Sequence, residues 1–530
     1  MKLFNNSQIF KFFSFNNLLN EKILIFLLLI SLPFTHINLA LQKTNIITGN
    51  YGWKLIIYPI LLIIVYFMLN RNTLADSKKF SVFIKIYFSV SIISFMNALI
   101  IYPYYSELYD MKEIPEKIYK IVNLINIDEK NIVDFWLIAR MIRQILIETL
   151  FTFGVSYILY LIYVTNKFDI FKVIVKSIKV VLSFAIVYSI VELNYFMNNS
   201  WAEDILVLIN PYIHTIKTSH DWWPQLLLRN QLRSFFVEPS YLAMYGAVAL
   251  PFLWSCLYAR QSKNDIVINI IFITSLTFFM FLTKSRMATA FMILDITLLV
   301  MFTVYYYKKM IKNTFIILIC TSIAFFGAVL FSEKYMSSNN NINVNSNFKE
   351  YIDNNVKSIA SINERSNGTR YGVMYADFLI GKNNLLFGVG EVLRNRYMID
   401  YLPDWSLEKN ETKMWVNAVK EKGILQSGFP NLNEYLYRFS TTGLLGLSVF
   451  LFPIFLLMIK LFNVFRFNKY FNVNFVFFTI AFIASCATGV GDSVTRIYWF
   501  WILLPLGYVM CFGKENDVKD NGDTGSRQEH

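Results

Sequence analysis

A helix needs about 20 predominantly apolar residues to cross the hydrocarbon core of a bilayer. This chain of 530 residues contains such a run roughly twelve times. The runs read Lys22–Leu41, Trp53–Leu69, Ser81–Tyr102, Ile145–Val164, Val180–Tyr195, Pro239–Tyr258, Ile266–Thr283, Met287–Tyr307, Thr314–Phe331, Thr441–Phe462, Phe471–Thr488 and Ile497–Phe512. Only 16% of the residues are charged and 55% are hydrophobic, with a mean hydropathy of +0.44. A soluble domain would carry about a quarter charged residues, so much of this surface faces lipid. The pattern predicts an all-α polytopic integral membrane protein with about 12 transmembrane helices. The first run follows a long Phe-rich leader that lacks a small-residue cleavage site, and it reads as an uncleaved span.

Orientation follows from where lysine and arginine fall in the short loops. With the N-terminus in the cytoplasm, every inner segment is basic: Lys78 and Lys79, then Lys167 to Lys179, Arg260 and Lys263, Lys308 to Lys312, and Arg466 with Lys469. The outer face receives longer segments of mixed charge, Pro103–Gln144, Phe196–Glu238 and, longest, the stretch from residue 332 to residue 440. An even number of spans returns the polar tail, residues 513–530, to the cytoplasm. The chain thus reads as a single transmembrane domain over residues 1–530 with one large extracytoplasmic loop that is long enough to hold helices of its own. The formal net charge of +13 is distributed over short gaps between apolar runs and forms no continuous patch, which argues against nucleic acid as a partner. The four cysteines lie in or at the ends of apolar runs, where a disulfide framework is not expected, and the four histidines show no metal-ligand spacing.

Several charges stand at unusual places. In RSFFVEPSYLAMYG, Arg233 and Glu238 precede a span on the outer face, and Glu238-Pro239 also has the form of an ordinary helix start. Arg286 sits in the tight outer turn TKSRMA, where the positive-inside tendency predicts no cation. Arg365 and Arg370, in NERSNGTRYG, fall in the large outer loop. Their agreement on one face suggests convergence on an anionic group attached to a lipid. The planar guanidinium suits that task because it bonds phosphate oxygens two at a time and keeps its charge. Lys85, Glu192 and Asp295 each interrupt an apolar run, where charge marks a pathway or, more commonly, a buried pair. Arg140, Arg143 and Glu148 cluster at the outer end of the fourth span. FGVGE, Phe387–Glu391, lacks the strand and helix of a dinucleotide site and reads as a turn beside an amphipathic segment.

RSFFVEPSYLA, TKSRMA, TRYGVMYADFLIGKNNLLFGVG and NLNEYLYRFSTTGLLG, in that order and spacing, resemble the O-antigen polymerase and ligase superfamily from about Arg233 to Phe512. The resemblance implies a GT-C-like membrane glycosyltransferase that is metal-independent, uses no cofactor and takes a sugar donor linked by diphosphate to a polyprenol. Carried onto this chain, it implies that Arg233 and Arg286 hold the diphosphate and that Arg370 binds in the outer loop, with Glu238, Tyr241 and Arg365 as further substrate-binding candidates. The ligase branch has a histidine ahead of the glycine-rich start of the next span. This chain has Pro430, Asn431, Asn433 and Glu434 there, which favours the polymerase branch.

The mechanism expected from these residues joins one lipid-linked oligosaccharide to a sugar hydroxyl of a second on the outer face of the cytoplasmic membrane. Glu434 is the first candidate for the base, Glu238 the second. Membrane lipids and a chain-length regulator are the further partners considered. Within enzymes the competing reading is a ligase that moves finished glycan to a lipid or protein. Outside them it is a flippase for lipid-linked sugars, a class that often shows two similar halves, and no such repeat is visible here.

Overall fold

The computed structural model describes residues 20–37, 48–71, 74, 78–109, 128–165, 169–214, 231–259, 262–336, 365–467 and 471–512, and among them there is no strand. The leader, the polar tail and residues 337–364 of the large loop lie outside the described residues. The helices are α1 (Glu21–Ile30), α2 (Ile57–Asn70), α3 (Lys78–Ile101), α4 (Glu129–Thr149), α5 (Val155–Thr165), α6 (Ile170–Phe196), α7 (Ser200–Ile213), α8 (Pro239–Cys256), α9 (Lys263–Leu282), α10 (Arg286–Tyr305) and α11 (Tyr307–Tyr335). They continue with α12 (Arg365–Asn383), α13 (Glu391–Tyr401), α14 (Asn410–Lys422), α15 (Glu434–Phe467), α16 (Val473–Gly491) and α17 (Trp499–Phe512). A π turn, Leu150–Gly154, joins α4 to α5.

Among the described residues, seven segments are long and apolar enough to cross a membrane: Phe80–Ile101, Lys130–Thr165, Lys263–Leu282, Arg286–Tyr305, Tyr307–Tyr335, Glu434–Phe467 and Val473–Gly491. Ile57–Asn70 and Trp499–Phe512 are shorter apolar helices. The first expected run departs from its helix, because α1 stops at Ile30, just ahead of Pro33. Proline lacks the N–H that the helix ladder needs and its ring crowds the preceding turn.

Lipid and core faces separate cleanly on α11. Phe315, Ile319, Ile323, Phe326 and Leu330, spaced three or four residues apart, are all exposed, and Ile317, Cys320, Ala324 and Ala328 on the opposite face are buried. A stripe of exposed Phe, Ile and Leu of that length is tolerable only against hydrocarbon, and the small buried residues let α11 lie closely along α9. α8 is different. All of its residues except Ser240 are buried, so it is the central helix of the bundle, packed on α9, α10 and α16.

The large loop forms helices, as its length allowed, and shares a second apolar core with the ends of α3 and α4. Phe95, Ala98, Val133 and Met141 from those ends meet Val373, Ile380, Leu393 and Met398 of α12 and α13. Two glycines make the junction possible. Gly388 in the FGVGE turn (φ +66°) and Gly443 in α15 (φ +67°) lie where backbones cross, and a Cβ on Gly443 would stand 2.4 Å from the Leu386 carbonyl carbon. The crossing is sealed by backbone bonds from Val389 N to Ser440 O (3.0 Å), Gly390 N to Thr441 O (2.9 Å) and Leu444 N to Leu385 O (2.7 Å). The turn before an amphipathic segment expected at FGVGE is therefore a clamp between loop and span, and it sets Glu391 at the start of α13.

Candidate functional site

The segment between α16 and α17, residues 491–496, gathers charges from five parts of the chain. Asp492 ends α16, with its N–H donating to Thr488 O (3.0 Å), and its carboxylate accepts from Arg496 Nε and Nη2, both at 3.0 Å, and from Ser493 N at 2.7 Å. The Arg496 guanidinium lies 5.5 Å from the centre of the Tyr241 ring. Lys54 donates to Thr495 O at 2.6 Å, and Arg370 of α12 donates through Nη1 to Gly491 O at 2.7 Å. Arg286, the first residue of α10, hydrogen-bonds Asn367, one turn before Arg370 on α12. The next residue, Met287, packs so closely on Gly491 that a Cβ there would meet its methyl at 2.6 Å.

Glu238 caps α8 on the same side and accepts from Ser240 Oγ at 3.1 Å. Burial pushes its pKa upward, and the nearby charges of Arg496 and Arg370 oppose the shift. Among the described residues, Glu238 and Asp492 are the carboxylates beside Arg370 and Arg496, and Lys54 and Arg286 stand at the edges of the same corner.

A second network runs inward from Ser493, whose hydroxyl donates to Glu434 Oε2 at 2.8 Å. Glu434 also accepts from Asn431 Nδ2 at 3.0 Å and pairs with Arg438 at 2.6 Å. Arg438 in turn binds Glu148 at 2.7 Å and the Tyr87 hydroxyl at 2.6 Å, and its guanidinium lies 4.2 Å from the Phe450 ring centre. Two residues further along α15, Ser440 donates to Asp377, which holds Arg394 through Nε (2.5 Å) and Nη2 (2.7 Å). Both Arg394 and Asp377 are buried. The second network continues into a cavity of about 40 Å³ whose walls include Tyr87, Gln144, Glu148, Glu391, Tyr437 and Arg438.

Residues 270–451, from within α9 to within α15, match the family model described as O-antigen ligase. Over those residues the chain is similar to O-antigen ligases. No curated protein matches the chain. Arg286, Arg370, Arg394, Glu434 and Arg438 lie inside the O-antigen ligase match, whereas Lys54, Glu148, Arg233 and Arg496 are contributed by the remainder of the chain.

The residues singled out from sequence have distinct surroundings. Arg233 is only 4% exposed. Its Nε lies 3.8 Å from Glu192 Oε1, and Ser234 N donates to Glu192 Oε2 at 2.6 Å. Glu192 and Arg233, both singled out from sequence, thus form one buried pair. Glu434 already has three donors on its roughly four lone-pair positions. Tyr241 lies under Arg496. Arg365 opens α12, and its side chain lies outside the described residues. Tyr375 is exposed. Lys85 is exposed, and Asp295 is fully buried with no hydrogen-bond partner among the described residues. Arg496 was not singled out, although it has the signature that identified Arg286, a cation in a short turn between two apolar runs. Lys54 and Arg438 carry no comparable local signal, because each sits beside or inside an apolar run.

Proposed function

We propose that this protein polymerises polyprenyl-diphosphate-linked oligosaccharide repeat units into a surface polysaccharide of O-antigen or capsule type, on the outer face of the cytoplasmic membrane. The family match supports a role in surface-glycan ligation or polymerisation. The observation that carries the finer reading is the meeting of Lys54, Arg286, Arg370 and Arg496 around residues 491–496. Three guanidinium groups in one corner suit a diphosphate diester, in which each phosphate carries one ionised oxygen. In this reading Arg286, Arg370 and Arg496 hold the diphosphate, and Arg233 supports the bundle through Glu192.

The reaction forms a bond between the acceptor hydroxyl oxygen and the donor's anomeric carbon. The bond from that carbon to the phosphate oxygen breaks, and its electron pair leaves with the polyprenyl diphosphate. Guanidinium groups fixed in advance stabilise the charge that builds on the leaving group. Glu238 takes the hydroxyl proton. Its raised pKa suits a proton acceptor, whereas Glu434 is occupied by Arg438, Asn431 and Ser493. Twelve spans with both termini in the cytoplasm, each expected run crossing once, would put this corner at the outer surface.

The description of the matched family favours a ligase as the second reading, with another lipid or a protein as acceptor. The test is deletion of the protein followed by complementation with Arg286→Ala or Arg370→Ala. Polymerisation predicts that single lipid-linked repeat units accumulate and that each variant loses about a hundredfold in rate, from roughly 3 kcal/mol in the barrier. Accumulation of long lipid-linked polymer would identify a ligase, and wild-type polymer in both variants would remove the diphosphate site.

A further inference from the structure

The cavity bounded by α3, α4, α15 and the start of α13 is separate from the cationic corner and linked to it through Glu434. Its donors and acceptors are mixed. Glu148 and Glu391 offer carboxylate oxygens, and Gln144 reaches across to Glu391 Oε1 at 2.8 Å. Ser91, Ser94 and Thr442 bring hydroxyls to the wall. Arg438 also lines it, 2% exposed, and its Nε has no hydrogen-bond partner among the described residues.

That combination selects the chemistry of a ligand. An anion would meet two carboxylates, and a metal cation would leave the Nε–H of Arg438 unanswered. A hydroxyl group satisfies both, because it donates to a carboxylate while accepting from an N–H. The size agrees, since a cavity that holds a benzene ring measures about 150 Å³, whereas one of about 40 Å³ takes only a few water-sized groups such as hydroxyls. It is too small for a whole sugar ring. Glu148 is 24% exposed, so the cavity reaches the surface at its side.

We propose that this cavity is a glycan subsite, in which Glu148, Glu391 and Arg438 grip the hydroxyl edge of a sugar belonging to the oligosaccharide and distant from the bond being made. The proposal rests on the transferase reading for the identity of the oligosaccharide. Glu434 ties the two places together, with Oε2 on Ser493 beside the cationic corner and Oε1 on Arg438 at the cavity. A repeat unit held at both ends would be presented in one register.

Glu391 gives the subsite a pH dependence. Burial and the neighbouring charge of Glu148 raise its pKa to about 7, while Tyr437, Arg438 and Arg394 pull it down. Tyr87 is the remaining titratable group on the wall. As pH rises through 7 the Glu391 carboxyl loses its proton and becomes an acceptor only, so affinity for a donating hydroxyl should increase.

The test uses the full chain in lipid nanodiscs. The probe is the oligosaccharide released by mild acid from the producing cell's polyprenyl-linked glycans, and binding is titrated at pH 6 and pH 8 beside a transfer assay with the intact lipid-linked form. We expect saturable binding that is tighter at pH 8. It should weaken roughly tenfold in Gln144→Leu and lose its pH dependence in Glu391→Gln, with both variants keeping the wild-type melting temperature at pH 5, where Glu391 is protonated. Absence of saturable binding, or equal binding by the wild type and both variants, overturns the subsite. Should one variant melt early, Ser94→Ala replaces it, and unchanged affinity there overturns the subsite too. A wild-type protein that binds as expected and transfers nothing sinks the transferase reading and leaves the subsite standing. One that transfers normally but binds equally in every variant does the reverse.

Discussion

Arg496 is the residue on which structure and chemistry can be separated by substitution. Its guanidinium makes two contacts of 3.0 Å to Asp492, which is 3% exposed, and lies against Tyr241. Replacing it with alanine removes a donor for the leaving diphosphate, worth about 3 kcal/mol or a hundredfold or more in rate. It also strands Asp492. Breaking a fully buried pair costs about 3 to 5 kcal/mol. Arg496 is 26% exposed and Asp492 keeps the Ser493 N–H, so a cost of about 2 kcal/mol is expected after solvent screening. Arg496→Ala should therefore lower both the melting temperature and the transfer rate. Arg496→Ala combined with Asp492→Asn removes the stranded charge and should recover most of the melting temperature while the rate stays about a hundredfold down. The assays are thermal unfolding in detergent and transfer between lipid-linked repeat units. Recovery of transfer in the double variant would show that Arg496 merely neutralises Asp492, and the diphosphate assignment would fail.

Asp377→Asn should destabilise the packing of α12 on α13 by about 3 kcal/mol, since it leaves Arg394 buried against a neutral amide; protease cleavage between residues 365 and 430 should accelerate, and unchanged cleavage would refute it. Gly443→Ala should do the same by forcing a Cβ into the Leu386 backbone at a left-handed φ, whereas Gly327→Ala, whose Cβ would make only ordinary contacts with Phe278, should leave the melting temperature within about 1 °C. Glu391 has a folded pKa of about 7 against an ordinary 4.5. Its protonated form is favoured by folding, so its contribution is complete below pH 4.5 and is lost as pH rises through 7. The wild type should consequently lose more stability between pH 5 and pH 8 than Glu391→Gln does, and parallel pH profiles would contradict the assignment.

Much of this protein was written locally. Apolar runs of membrane length specify helices because a backbone in hydrocarbon has to satisfy its own hydrogen bonds, and every expected run contains a helix. Pro239 after Glu238 starts α8 where the pair said it would. The motifs around Arg286, Arg370 and Glu434 were enough to suggest the family that the match over residues 270–451 supports. Tertiary structure decided which charge meets which. Arg233 and Glu192 find each other across 41 positions, Lys54 meets Thr495 across 441, and Arg438 draws Glu148 and Tyr87 from helices whose sequences show no hint of it. Periodicity tells a helix which face is apolar but not which neighbour that face will touch. The energy that selects the partner of a buried charge comes from groups distant in sequence, and it exists only once the helices have packed.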